Sequence, residues 1–188
     1  MNEIAAVLGI TALVGLGGAA AGYNFVDIPD VNQVAVQTHG APTAVIDDPQ
    51  QVLSPDDRAR LERDTARIDA PAVVTDLHYI VFKTNHDNIM DDVEELLRTE
   101  HPDLIDQSKG ENGRPHDGVL IVGVGLDPRE AFIYGGDDVT EELLLDDDSY
   151  REALLDAMKP VVKEGNIPSG LFRTANQAMD ADALAQYR

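Results

Sequence analysis

Two stretches decide the fold: LHYIVF at residues 77–82 and GVLIVGV at residues 118–124. Both are short, nearly continuous apolar runs rich in β-branched and aromatic side chains. A strand exposed on one face alternates apolar and polar residues, whereas a strand covered on both faces does not need to. The two runs therefore read as central strands of a sheet with helices on both sides.

Working outward, Thr43 to Ile46 is a shorter β-branched run closed by Asp47-Asp48-Pro49. Ser54-Pro55-Asp56-Asp57 follows as a helix start, with Ser54 able to cap, Pro55 suited to the first helical position and the acids facing the positive helix end. That helix is expected to run to about Asp69, with Leu61 and Ile68 inward and Ala70-Pro71 as its stop. After LHYIVF, the polar turn 85–88 can cap a helix carrying Met90, Val93, Leu96 and Leu97, which ends at His101-Pro102. Residues 103–117 read as a long polar loop. After GVLIVGV, Asp127-Pro128 turns the chain and Glu130 to Tyr134 returns as an antiparallel partner.

The rest reads as helical. Val139 to Leu145 is one piece. Ser149 and Glu152 suggest a capping box before a helix that Pro160 should kink. A last helix is expected from Ser169, carrying Leu171, Phe172, Ala175, Met179 and Leu184. The order β-α-β-α-β-β-α-α-α, with two strand–helix–strand crossovers, gives an α/β fold. Its sheet is mixed and mostly parallel, with about four strands.

The N-terminus is different in kind. Residues 4–22, IAAVLGITALVGLGGAAAG, carry no charge. As a helix they would span roughly 28 Å, about one hydrocarbon core. They read as an uncleaved membrane anchor or as a secretory signal peptide with Ala19-Ala20-Ala21 at its cleavage end. Met1-Asn2-Glu3 lacks the basic residues usual before either, and a buried core helix is the third reading. Residues 23–42 read as a linker, and 43–188 as the folded domain. The first basic residue beyond the apolar segment is Arg58, too distant to hold the domain in the cytoplasm. The expected location is a cell membrane with the domain outside the cytoplasm, or secretion after cleavage.

The whole chain has 188 residues, with 14 Lys and Arg against 35 Asp and Glu and a formal net charge of −21. Phosphate backbones call for a basic footprint, so no nucleic-acid partner is expected, and membrane contact is expected through the N-terminal segment alone. There is no cysteine, hence no disulfide, thiol nucleophile or thiolate metal site. The five histidines (His39, His78, His86, His101, His116) show neither HExxH nor HxH spacing, so no zinc motif is read from them. No phosphate-cradling glycine motif opens a helix.

The pieces Val45-Ile46-Asp47-Asp48 with Val52-Leu53-Ser54-Pro55, LHYIVF, His116-Asp117-Gly118 through Val122, and Asp127-Pro128-Arg129 before Phe132-Ile133-Tyr134-Gly135-Gly136 occur together in that order. So does the closing stretch Met158-Lys159-Pro160 to Leu171. Together they resemble the TPM domain of bacterial membrane and secreted proteins, over roughly residues 43–180. The family's usual Asp-Asn-Gly is Asp117-Gly118 here, and Pro128 interrupts its usual hairpin motif. The resemblance implies a three-layer αβα, Rossmann-like sandwich displayed outside the cytoplasm. It also implies calcium binding, acid phosphatase activity or a role in maintaining membrane complexes.

Open α/β sheets bind ligands beyond the carboxyl ends of their parallel strands. Those ends offer Asp47 and Asp48, then Lys83, Asn85, His86 and Asp87, then Asp127 and Arg129. Carboxylates gathered near carbonyl oxygens suit a hard cation such as calcium. Each acid also has a plain reading as a turn former or helix cap. Asp117, favoured by the resemblance, begins its strand and so belongs at the opposite end of the sheet. The expected function is a membrane-tethered or secreted domain that binds a protein partner, with calcium at Asp47, Asp48, Asp87, Asp127 and Asp117, and no catalysis. The alternative is a metal-assisted acid phosphatase, in which the cation polarises a phosphate and His86 or an Asp moves a proton.

Overall fold

The computed structural model describes residues 40–83, 88–106, 108, 114–127 and 130–187. The expectations for the apolar segment 4–22 and for linker residues 23–39 lie outside them. Among the described residues no helix is long and apolar enough to cross a membrane.

The sheet is as expected. Strands β1 (Thr43–Asp47), β2 (Asp76–Phe82), β3 (Val119–Gly125) and β4 (Glu130–Gly135) lie side by side in chain order. β1–β2 and β2–β3 are parallel, and β3–β4 is antiparallel. Every residue of β3, and all of β2 after Asp76, is buried. Alternate residues serve different cores. Leu77, Tyr79 and Val81 join Leu120, Val122 and Val124 in a cluster completed by helices α1 (Pro55–Thr65), α4 (Asp148–Lys163) and α5 (Ile167–Ala178). Ile80, Phe82, Val119 and Ile121 join a second cluster with Val93, Leu96 and Leu97 of helix α2 (Ile89–Glu100). Each fully buried Leu, Ile, Val or Phe contributes roughly 1.5–3 kcal/mol, so two strands covered on both faces dominate the stability. One buried polar contact lies within the larger cluster, where the hydroxyls of Thr65 and Tyr79 stand 2.9 Å apart. Burial raises the Tyr79 pKa well above the ordinary tyrosine value.

Helix boundaries carry the corrections. Ser54 caps α1 by accepting from Asp57 N–H, but the helix ends at Thr65 rather than near Asp69. The next amides reach back only three residues, Arg67 N–H to Asp64 O and Ile68 N–H to Thr65 O. This tight turn still buries Ile68. The capping box at Ser149 and Glu152 does not form. Asp147 caps α4 instead, accepting from Tyr150 N–H at 2.9 Å, because the acid run 146–148 offers a stronger acceptor at the positive helix end. Helix α3 (Asp137–Glu142) starts and stops before the expected 139–145, and Leu144 takes a left-handed φ of 55° so that Leu143 and Leu145 both face inward. Helix α5 begins at Ile167 with Pro168 in its first turn, and Leu184 belongs to a separate short helix α6 (Ala181–Leu184) capped by Asp180.

Gly123 shows how tightly the second core closes on the sheet. A Cβ there would stand 2.2 Å from the Phe132 ring and 2.7 Å from Ile80 O. Phe132 meets Phe82 edge-on with centroids 5.9 Å apart, so it cannot simply move aside. Gly123→Ala is expected to cost about 1–3 kcal/mol by overpacking. Adding Phe132→Leu should recover part of that loss, as read by urea denaturation of the single and double variants.

Candidate functional site

Asp47 and Asp48 are neighbours that point into different environments. The Asp48 side chain is fully buried and accepts from Val52 N–H at 2.9 Å and Leu53 N–H at 2.8 Å. Arg58 reaches it from α1 at 3.1 Å and also donates to Asp48 O at 3.2 Å. Two backbone donors and a guanidinium account for this carboxylate. It ties the β1–α1 loop to the helix, which is the capping role open to any acid at that strand exit.

Asp47 turns to the face covered by α2. Its Oδ2 accepts from His101 Nε2 at 2.9 Å, a contact between residues 54 apart in the chain. His101 is the C-cap of α2, and Glu100 is the last residue of that helix. One ligand atom each from Asp47, Glu100 and His101 lies within 4.8 Å of the others. The strand register places this group. Val45 pairs with His78 and Asp47 with Ile80, so His78 lies diagonally beside Asp47, facing the second core. The C-terminus of α2 then delivers Glu100 and His101 over the β1 edge.

His78 is 9% exposed. Burial lowers its pKa below the ordinary 6.5, against the nearby Asp76 carboxylate, which pulls the other way, and with the help of His101. A pKa below 6.5 leaves it neutral at physiological pH.

The other expected residues separate. Asp127 sits beyond the carboxyl end of β3, exposed and with a left-handed φ of 58°. Asp117 lies in the turn before β3, at the opposite end of the sheet. Neither belongs to the group around Asp47. Asp87, His86 and Asn85 lie outside the described residues, as does Arg129. A cleft of about 360 Å³ does open beyond the ends of β1 and β2, between Gln50, Lys83 and the α2 side chains Asp92, Glu95 and Glu100. Glu100 belongs to both the cleft and the triad, and the acids that line the cleft, Asp92, Glu95 and Glu100, all come from α2 rather than from the strand ends.

Sequence reading missed Glu100 and His101 because they looked like the frayed end of an amphipathic helix. Two signals were present: the titratable pair just before Pro102, and His78 inside an otherwise apolar run. No family model matches the chain, and no curated protein matches it.

Two measurements check this geometry. Asp48→Ala is expected to lower stability by about 1–3 kcal/mol, because it strands the buried Leu53 amide, the part-buried Val52 amide and the Arg58 charge, which still reaches water. The value would be read by chemical denaturation. The second concerns pH. The folded state resists protonating His78 more than the unfolded chain does, so the unfolded state binds more protons as pH drops below 6.5. Stability on this account is fully present above that pH and declines below it. The melting temperature of His78→Gln should fall less steeply than that of the parent between pH 6.5 and pH 5.

Proposed function

We propose that this protein is a non-catalytic domain, membrane-tethered or secreted, that binds a divalent metal ion at Asp47, Glu100 and His101 and engages a protein partner. The observation that carries the metal site is the convergence of one imidazole nitrogen and two carboxylates within 4.8 Å. Ligands about 2.0–2.1 Å from a tetrahedral ion stand roughly 3.4 Å apart, so small side-chain rotations complete the set. The imidazole decides the class of ion. Calcium takes six to eight oxygens, whereas nitrogen mixed with carboxylate suits zinc or another first-row divalent ion. The proposal therefore departs from the calcium expected from the sequence. The uncharged stretch 4–22, the net charge of −21 and the absence of cysteine support export and display, as does the resemblance to the TPM domain.

Acid phosphatase activity is the second reading. Lys83 in the rim cleft favours it, since a metal ion at the triad and that ammonium could share a phosphate. Asp92, Glu95 and Glu100 line the same cleft and repel an anion, which is why binding without catalysis is preferred.

Titrating the full chain with zinc, manganese and calcium separately, with melting temperature as the readout, tests both readings. An ion that binds the folded state alone raises the midpoint by mass action. Zinc or manganese should raise it at micromolar concentrations, and calcium only weakly. His101→Gln and Asp47→Asn should each weaken uptake by about 10–100-fold. Equal shifts in parent and variants would reject the triad. Steady hydrolysis of p-nitrophenyl phosphate that is lost in Asp47→Asn would replace the binding role with the enzymatic one.

A further inference from the structure

LHYIVF carries an imidazole, His78, in an interior strand of the sheet. Its backbone lies beside Val45 of β1 on one side and Ile121 of β3 on the other. Side chains alternate along a strand, so His78 shares its face with Ile80 and Phe82, which belong to the second core. The residue is nine-tenths buried. A buried polar side chain is normally hydrogen-bonded, and one that is not calls for an explanation such as a water or an ion. Among the described residues the ring of His78 meets no hydrogen-bond partner, and the groups that act on it are the charges of Asp76, His101, Asp103 and Asp47. Tyr79, the next residue, is by contrast satisfied in the opposite core by Thr65.

Strand register sets where this ring stands relative to the triad. Val45 is the partner of His78, and Asp47 lies two residues further along β1 on the same face. It is thus a diagonal neighbour, within reach of a long side chain. His101, which meets Asp47 at 2.9 Å, also bears on the ring. β1 is the edge strand and β2 an interior one, so His78 stands on the inner side of the group. The outer side is open, since Asp47 and His101 each keep about a quarter of the side chain exposed, at 25% and 23%.

An ion held by Asp47, Glu100 and His101 has one position left in a tetrahedron. Water filling it from the open side gives the arrangement of catalytic zinc sites, whereas a fourth protein ligand gives the closed arrangement of structural ones. We infer that His78 is the fourth ligand, so that the ion sits among two imidazoles and two carboxylates and ties β1, β2 and the end of α2 together. His78 stands outside the group that lies within 4.8 Å, so its ring turns toward the ion as Asp47 and His101 part to admit it. The inference rests on the metal site of the proposed function. It makes the ion structural, and it removes the open position that metal-assisted phosphate hydrolysis needs.

The test uses the full chain, isotope-labelled at its histidines, with zinc added to saturation and the imidazole nitrogens followed by NMR. The ring resonances of His78 and His101 should move to metal-bound positions in step, while those of His116 stay. Cobalt in place of zinc should give the intense visible bands of a tetrahedral ion. His78→Gln should weaken zinc binding by at least about tenfold and replace those bands by weak ones, as water enters and the coordination number rises. A zinc-induced shift of His101 alone, or unchanged zinc affinity and cobalt bands in His78→Gln, would overturn the inference and leave the triad standing with water as its fourth ligand. No shift at His101 either would remove the metal site together with the inference. Should His78→Gln fail to fold, the resonances of the parent chain decide by themselves.

Discussion

The structure depends on covering both faces of β2 and β3. A strand enclosed on one side can send every second residue to water, but a strand enclosed on both sides has no solvent-facing positions. Polar groups are then pushed to the strand ends, to the outer edges and to the termini of the covering helices. Asp47, Glu100 and His101 come from two of those three places, the end of an edge strand and the end of a helix. His78 is the exception that sits mid-strand, and burial keeps it uncharged.

Asp47 and Asp48 show how one residue's difference in a strand exit separates structure from chemistry. Side chains alternate along a strand, so consecutive acids face opposite ways. Asp48 faces α1 and is consumed by two amides and Arg58. Asp47 faces α2 and meets a histidine. The contacts of Asp48 tie the β1–α1 loop to α1, directly after Asp47.

The two sheet edges also differ in kind. The β1 edge is short, bracketed by prolines and beside acids. The β4 edge is apolar, lies between two helices and has arginines at its walls.

The sequence by itself determined the strands, their order, the parallel and antiparallel pairings and most helix positions. Period, caps and chain connectivity are local properties, and LHYIVF can hardly be read otherwise. It also set the net charge of −21. It was less informative where competing local signals were close in strength, as with Ser149 against Asp147 for one cap, or the tight turn that ends α1 at Thr65. Only the tertiary structure decided which acids meet. Asp47 and His101 are 54 residues apart, and their contact follows from strand register and from where α2 ends over the sheet. Neither is encoded in the residues next to them, so Asp47 could be singled out from the sequence while Glu100 and His101 could not.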